Sequence, residues 1–254
     1  MAHAPYDVIA EWYDQLVRTD PLYRELVLPS LLGLIDDPQG QMICDLACGQ
    51  GFVARELARQ GASVIGVDVS VSLLALARRY EHIEPLGIQY REDNAHVLAT
   101  IADSSVDGVT CSMALMNIPD LVACARSVRR ILKPDGWAVV AMTHPCFQTP
   151  RAEWVQKSDG SDVREVSGYF DEGYWKSPNP EGVRGQVGEH HRMLSTYLNT
   201  FVDAGFTFER MHEPQATGER AKRVPGNREI PSILSMRFRA DRNETEAPSD
   251  TFRA

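Results

Sequence analysis

Between residues 41 and 143 the chain alternates short apolar runs with helical patterns, and this alternation constrains the fold more than any other feature. Parallel strands need long crossover connections, and a sheet covered on both faces reads as unbroken apolar runs rather than as alternating ones. The pattern therefore predicts strands at 41–46, 63–68, 87–92, 106–111 and 136–143, with helices at about 51–60, 71–83 and 120–132. The last helix carries Leu121, Cys124, Ala125, Val128, Ile131 and Leu132 on one stripe, and stops at the turn Lys133-Pro134-Asp135-Gly136.

The flanks are built differently. Tyr6, Ile9, Ala10, Tyr13, Leu16 and Val17 fall at helical spacing, and Asp20-Pro21 starts a second helical stretch that Pro29 is expected to interrupt before Ile35. Residues 1–40 thus read as an N-terminal helical cap. After Thr143 the beat stops for about 45 residues rich in glycine and proline. Trp154, Tyr169, Phe170, Tyr174 and Trp175 fall in this stretch, and disordered segments are poor in aromatics. Segment 144–189 is therefore expected to be functional, as a lid. A helix near 190–204, stopped by Gly205, and an antiparallel pair at 206–213 and 231–239 complete one domain over 1–240. The polar tail 241–254 should fray.

Composition excludes more than it identifies. Among 254 residues, 43% hydrophobic and 24% charged describe an ordinary globular chain, and a net charge of -9 with no basic block argues against nucleic acid as partner or substrate. No apolar run is long enough to span a membrane, and Met1-Ala2-His3-Ala4-Pro5 lacks a basic segment followed by an apolar one, so a cytoplasmic location is expected, with no membrane partner. The five cysteines, at 44, 48, 111, 124 and 146, lack paired metal-binding spacing and read as reduced core residues. No metal is expected. Nothing in the sequence sets the oligomeric state.

The chemistry gathers at the predicted strand ends. Asp45-Leu46-Ala47-Cys48-Gly49-Gln50-Gly51 closes the first strand and opens a helix; its small residues let a ligand approach the backbone, where a helix start offers free N–H groups. Asp68 ends the second strand, placed to accept both hydroxyls of a ribose, and Asp93 follows the third, placed to accept from an adenine amino group. Any one of these acids alone would read as a solvated strand end or a cap. Three in register address one nucleoside. Gly49-x-Gly51-x-x-Ala54 with Asp68 also satisfies a relaxed dinucleotide fingerprint. Against a nicotinamide site stand the run Asp45-Leu46-Ala47-Cys48 ahead of the first glycine, and the lack of a second βαβαβ half.

In these motifs, D-L-A-C-G-Q-G, V-I-G-V-D-V-S and R-E-D-N-A, the chain resembles the class I S-adenosylmethionine-dependent methyltransferases. Arg130-Ile131-Leu132-Lys133-Pro134-Asp135-Gly136-Trp137 and the flanking Tyr6-Asp7…Tyr13-Asp14 and Arg192-Met193-Leu194-Ser195 resemble bacterial small-molecule members. The resemblance implies an α/β, Rossmann-like, seven-stranded, mostly parallel sheet with helices on both faces. It implies S-adenosyl-L-methionine as cofactor, held by Asp45, Ala47, Gly49, Gly51, Asp68, Val69, Asp93 and Asn94. Ser112 and Met113 after the fourth strand should join them, as should Tyr13 over the methionine end.

The acceptor site should lie beyond the carboxyl ends of the strands. His144, at the end of the fifth strand, is one candidate to take a proton, and His190 and His191, expected at a helix start, are two more; His144 can also be a structural histidine satisfied by neighbouring backbone, and His190 and His191 can cap the helix start beside Glu189. The insertion's aromatics would line an apolar acceptor pocket, although some must pack the segment onto the sheet. The expected reaction is methyl transfer to O or N, less readily C, of a small, partly apolar metabolite. The alternatives are methylation of tRNA, rRNA or protein, and a catalytically inert cofactor-binding domain acting as sensor or partner.

Overall fold

The computed structural model describes residues 4–241, so all but the first residue of the predicted tail 241–254 lies outside the described residues. In chain order it contains α1 (Ala10–Thr19), α2 (Leu28–Leu32), β1 (Met42–Leu46), α3 (Phe52–Arg59), β2 (Ser63–Asp68), α4 (Val71–Ile83), β3 (Gln89–Glu92), β4 (Val106–Ser112), α5 (Leu121–Ile131) and β5 (Leu132–Thr143). Then follow β6 (Glu153–Gln156), β7 (Asp162–Glu165), β8 (Gly173–Trp175), α6 (Val183–Gln186), β9 (Glu189–His191), α7 (Leu194–Asp203), β10 (Phe206–His212), α8 (Gly218–Arg223) and β11 (Ile233–Ala240). Seven strands form one sheet in the order β10-β11-β5-β4-β1-β2-β3. β11 pairs antiparallel with both β5 and β10, and the remaining pairs are parallel.

The apolar runs divide their side chains between two cores, as a parallel sheet covered on both faces requires. In β5, Ala138, Val140 and Met142 face one core with α5 and α7, while Trp137, Val139 and Ala141 face the other with α3 and the N-terminal helices. α4 meets the N-terminal segment instead, packing Leu73 and Leu76 on Ala10, Tyr6 and Tyr13. Among the described residues no helix is long and apolar enough to cross a membrane.

Three local expectations are corrected. Pro29 does not break the helix: Leu22–Val27 is a widened π-turn in which the Leu28 N–H reaches back to Tyr23 O. That puts Pro29 in the first turn of α2, where its missing donor is not needed. The turn at Lys133–Gly136 does not precede the fifth strand but lies inside it, since pairing jumps from Val106↔Leu132 to Gly108↔Trp137. Finally, the insertion is not a bare loop. It holds two hairpins, β6–β7 and β8–β9, so His190 and His191 sit on a strand and the following helix starts only at Leu194.

Candidate cofactor and acceptor site

The chain leaves β1 through a turn that only unusual backbone can make. Ala47, Gly49 and Gly51 have φ of 52°, 54° and 84°. A Cβ on Gly51 would stand 2.2 Å from the Tyr90 hydroxyl, so that position needs glycine for space as well as conformation. Ala47 holds its left-handed conformation against a steric penalty, a kind of strain that collects at functional sites.

Two aspartates brace this turn. Asp45 is buried, accepting from Ala54 N–H at 3.0 Å and Thr110 Oγ1 at 2.7 Å, which ties the start of α3 to β1 and β4. Burial pushes its carboxyl up to about 7. Asp68 accepts from Gly49 N–H at 2.8 Å and Ser70 N–H at 2.7 Å, and burial raises it too. Ser70 caps α4 through Leu73 N–H and donates to Asp7, whose carboxylate also accepts from Ser72 N–H, so the N-terminal segment is fastened beside the turn. Asp93 differs from its neighbours. Both its oxygens close its own loop, accepting from the N–H groups of Asn94, Ala99 and Thr100 and from Thr100 Oγ1. Burial opposes its charge, but the Thr100 donors and the backbone amides prevail and hold the carboxyl below the usual range.

Above the turn lies a cavity of about 420 Å³. Of the predicted cofactor residues, Gly51 alone does not line it. Gln50 lines it with a buried Nε2 that has no partner among the described residues. On the near side Tyr6, Tyr13 and Tyr23 form a wall of edge-packed rings, 5.1 Å and 6.4 Å between successive centroids. Burial drives the Tyr13 hydroxyl up to about 12. Tyr6 Oη accepts from Asn117 Nδ2 at 3.1 Å, joining the N-terminal cap to the loop after β4. There Met113, at φ 54°, donates its N–H to Ala141 O. The far end of the cavity is closed by the insertion, through Tyr174, Val187, Gly188 and Glu189, and by His190.

The histidines separate. His190 lines the cavity, and burial lowers its pKa. His191, the next residue on a strand, points the other way into the protein, with Nε2 2.8 Å from Tyr169 O. His144 does not line the cavity and is 2% exposed. Its Nδ1 accepts from Cys146 N–H within its own turn, and its Nε2 stands 2.6 Å from Glu213 Oε1, tying the end of β5 to the loop after β10, so both nitrogens are engaged. Burial lowers its pKa although Glu213 opposes this.

Of the insertion's aromatics, Tyr174 alone reaches the cavity. Trp154 packs on Gly226, where a Cβ would meet its ring at 2.3 Å; Trp175 carries the Arg184 guanidinium 5.6 Å from its ring; Phe170 is exposed. Sequence reasoning assigned only part of this lining, and Gln50, Tyr6, Asn117 and Glu189 are among the residues it missed. Gln50 stood inside the quoted motif and Tyr6 on the predicted apolar face, whereas nothing local marked Asn117 or Glu189.

Comparison with known proteins bears on the family and the fold. Residues 44–140 match the methyltransferase domain family. Over 132 residues the chain is 36% identical to a ubiquinone biosynthesis O-methyltransferase of Paracidovorax citrulli, covering 50% of this chain and 54% of that protein. A protein of the same name from Pseudomonas aeruginosa is 30% identical over 137 residues, covering 52% and 58%. The chain thus spans about half the length of the curated relatives it matches. The crystal structure of an S-adenosylmethionine-dependent methyltransferase from Mesorhizobium loti superposes with a TM-score of 0.73 at 27% identity, covering 88% of this chain and 99% of that one.

Proposed function

Since the chain belongs to the class I S-adenosylmethionine-dependent methyltransferases, we propose that it methylates an O or N atom of a small, partly apolar metabolite. The observation that carries this reading is the continuity of one cavity from the glycine turn, past Met113, to Tyr174 and His190. The cofactor, S-adenosyl-L-methionine, supplies a methyl group already activated by a sulfonium.

The residues present fit that cofactor. The unpartnered Gln50 amide and the left-handed turn offer donors for a carboxylate, and Asp68 keeps lone pairs for ribose hydroxyls beyond those its two backbone donors use. Asn94 and Asp93 border the adenine end, and the three tyrosines exclude water from the other.

The remaining task of the protein is to bring a nucleophile into line and keep it dry. Positioning is worth roughly 7–11 kcal/mol, more than the roughly 3–5 kcal/mol of a general base. The insertion 144–189 acts here as the acceptor-side wall and lid. A cavity lined by acids, with no lysine or arginine among the described residues, favours a metabolite over a nucleic acid phosphate backbone.

The test is to incubate the protein with methyl-labelled S-adenosylmethionine and a small-molecule extract. Label should enter a metabolite fraction and S-adenosylhomocysteine should accumulate. Label in RNA or protein alone, or cofactor binding without any transfer, would replace this reading by one of its alternatives.

A further inference from the structure

The charge of the cavity is one-sided. Its described lining holds four carboxylates, Asp45, Asp68, Asp93 and Glu189, and neither lysine nor arginine. The three aspartates sit at strand ends with backbone N–H donors on their oxygens. Glu189 sits at the opposite end, on β9, and is 5% exposed. The one side-chain partner the described residues give it is Arg184, with Nη1 3.5 Å away. Arg184 itself stays outside the lining, held by the Trp175 ring and by Gln148 Oε1 at 3.2 Å. The wall therefore presents the carboxylate and not the guanidinium. A buried carboxylate so weakly partnered is costly unless a ligand donates to it.

We propose, on the reading that this chain methylates a small molecule, that Glu189 selects the acceptor: it receives a hydroxyl or ammonium donor of the acceptor, and it turns away acceptors that carry a carboxylate. The groups around it agree. Tyr6, on the N-terminal turn, and His190, beside it on β9, line the same space, and Tyr6 and Tyr197 of α7 both feel its charge. These are groups that pair with a polar, donor-bearing ligand, and Ile118 and Pro119 supply apolar contact beside them. Facing Glu189 from α6, Arg184 favours its ionised form, but burial prevails and pushes the carboxyl up to about 7. Rejection of anions therefore strengthens as Glu189 ionises, from about pH 6 to about pH 8.

The experiment is calorimetric titration of the protein saturated with S-adenosylhomocysteine, using catechol, tyramine and dihydroxybenzoate as neutral, cationic and anionic probes. Dihydroxybenzoate should bind about tenfold or more weakly than catechol at about pH 8, with a narrower gap at about pH 6. Glu189→Gln should close that gap and weaken tyramine by about tenfold, while leaving S-adenosylhomocysteine affinity unchanged. Equal binding of catechol and dihydroxybenzoate at the higher pH, a gap indifferent to pH, or no binding of either donor-bearing probe would each overturn the proposal. The pH series needs no variant, so a misfolded Glu189→Gln protein would not rescue it. Failure of S-adenosylhomocysteine itself to bind would bring down the methyltransferase reading and this proposal together, whereas failure of the probes alone removes only the proposal.

Discussion

From Asp45 to Met113 the cavity wall is made by strand ends, whose backbone is fixed by a sheet packed on both faces. From Tyr174 to His190 it is made by a two-stranded hairpin joined to that sheet through side chains. The first wall inherits the rigidity of the core: Asp45 bonds to β4 beside it in the sheet and to the start of α3 on its face. The second hangs on a few fastenings. Arg192 donates to Ile118 O and Pro119 O at 2.7 Å each, His191 meets Tyr169 O, and Glu172 accepts from Met193 N–H. One fold thus supplies a fixed half for a constant cofactor and an adjustable half for a variable acceptor.

The largest expected contrast is in opening free energy. Amides of β1 and β4 should exchange with solvent only on global unfolding, on the order of 5–15 kcal/mol, whereas those of β8 and β9 should open at a small fraction of that. Hydrogen exchange read by mass spectrometry checks this, and acceptor should slow the hairpin alone. Equal protection of both walls would break the comparison.

Next in size is Gly51→Val. It forces a branched residue to φ 84° and into the Tyr90 ring, for about 1–3 kcal/mol of strain and about 1–3 kcal/mol of overpacking. The denaturation midpoint should fall and S-adenosylhomocysteine binding weaken with it. An unchanged midpoint would mean that the turn is looser than its hydrogen bonds imply. Asp68→Ala should act on binding more than on folding, weakening S-adenosylhomocysteine by about 1–3 kcal/mol, the range for hydrogen bonds to a charged group. Titration calorimetry showing wild-type affinity would put the ribose elsewhere.

The same contrast explains what could be read from sequence. Strand ends carry their function in contiguous letters, because a turn needing left-handed backbone must spell itself with small residues near positions 47, 49 and 51. The central strands followed from the same regularity, whereas their order in the sheet did not. Glu189 and Asn117 were invisible, because their place depends on where a hairpin and a loop distant in sequence come to rest. His144 stayed open between two roles for the complementary reason. Its position at the end of β5 was read correctly, but the orientation of its ring is decided by Glu213, some 69 residues away. The five aromatics of the insertion suggested a pocket, yet Tyr174 alone lines it, Trp154 and Trp175 stack with Arg164 and Arg184, and Phe170 is exposed, and a count of rings does not distinguish these uses.

Glu189 also sharpens the comparison in the free protein. Its folded-state carboxyl lies near 7, above the unfolded value, so the unfolded chain holds fewer protons between the two. Its contribution to stability is therefore fully present below about pH 4.3 and declines as the pH rises to about 7. Glu189→Gln removes that dependence, and it should be more stable than wild type by about 1–2 kcal/mol near pH 8, with the difference vanishing toward pH 4. Chemical denaturation at several pH values measures it. A variant less stable at every pH would show that the Arg184 pairing, and not the burial, governs this carboxylate.

The smallest effect expected is at Tyr174, and it separates the two walls most cleanly. Its hydroxyl donates to Val187 O at 2.9 Å and lies over Gly188, whose φ of 72° lets the chain pass beneath the ring. That bond holds the tip of the hairpin and involves no residue of the glycine turn. Tyr174→Phe keeps the ring and removes only the bond, at about 0.5–1.5 kcal/mol, and because the site is partly exposed water can replace the lost acceptor. S-adenosylhomocysteine affinity should stay at its wild-type value, while the apparent KM for the acceptor rises by about two- to tenfold and the hairpin amides exchange faster. If cofactor affinity fell instead, the hairpin would belong to the cofactor half after all, and the division between a fixed and an adjustable wall would have to be redrawn through β9.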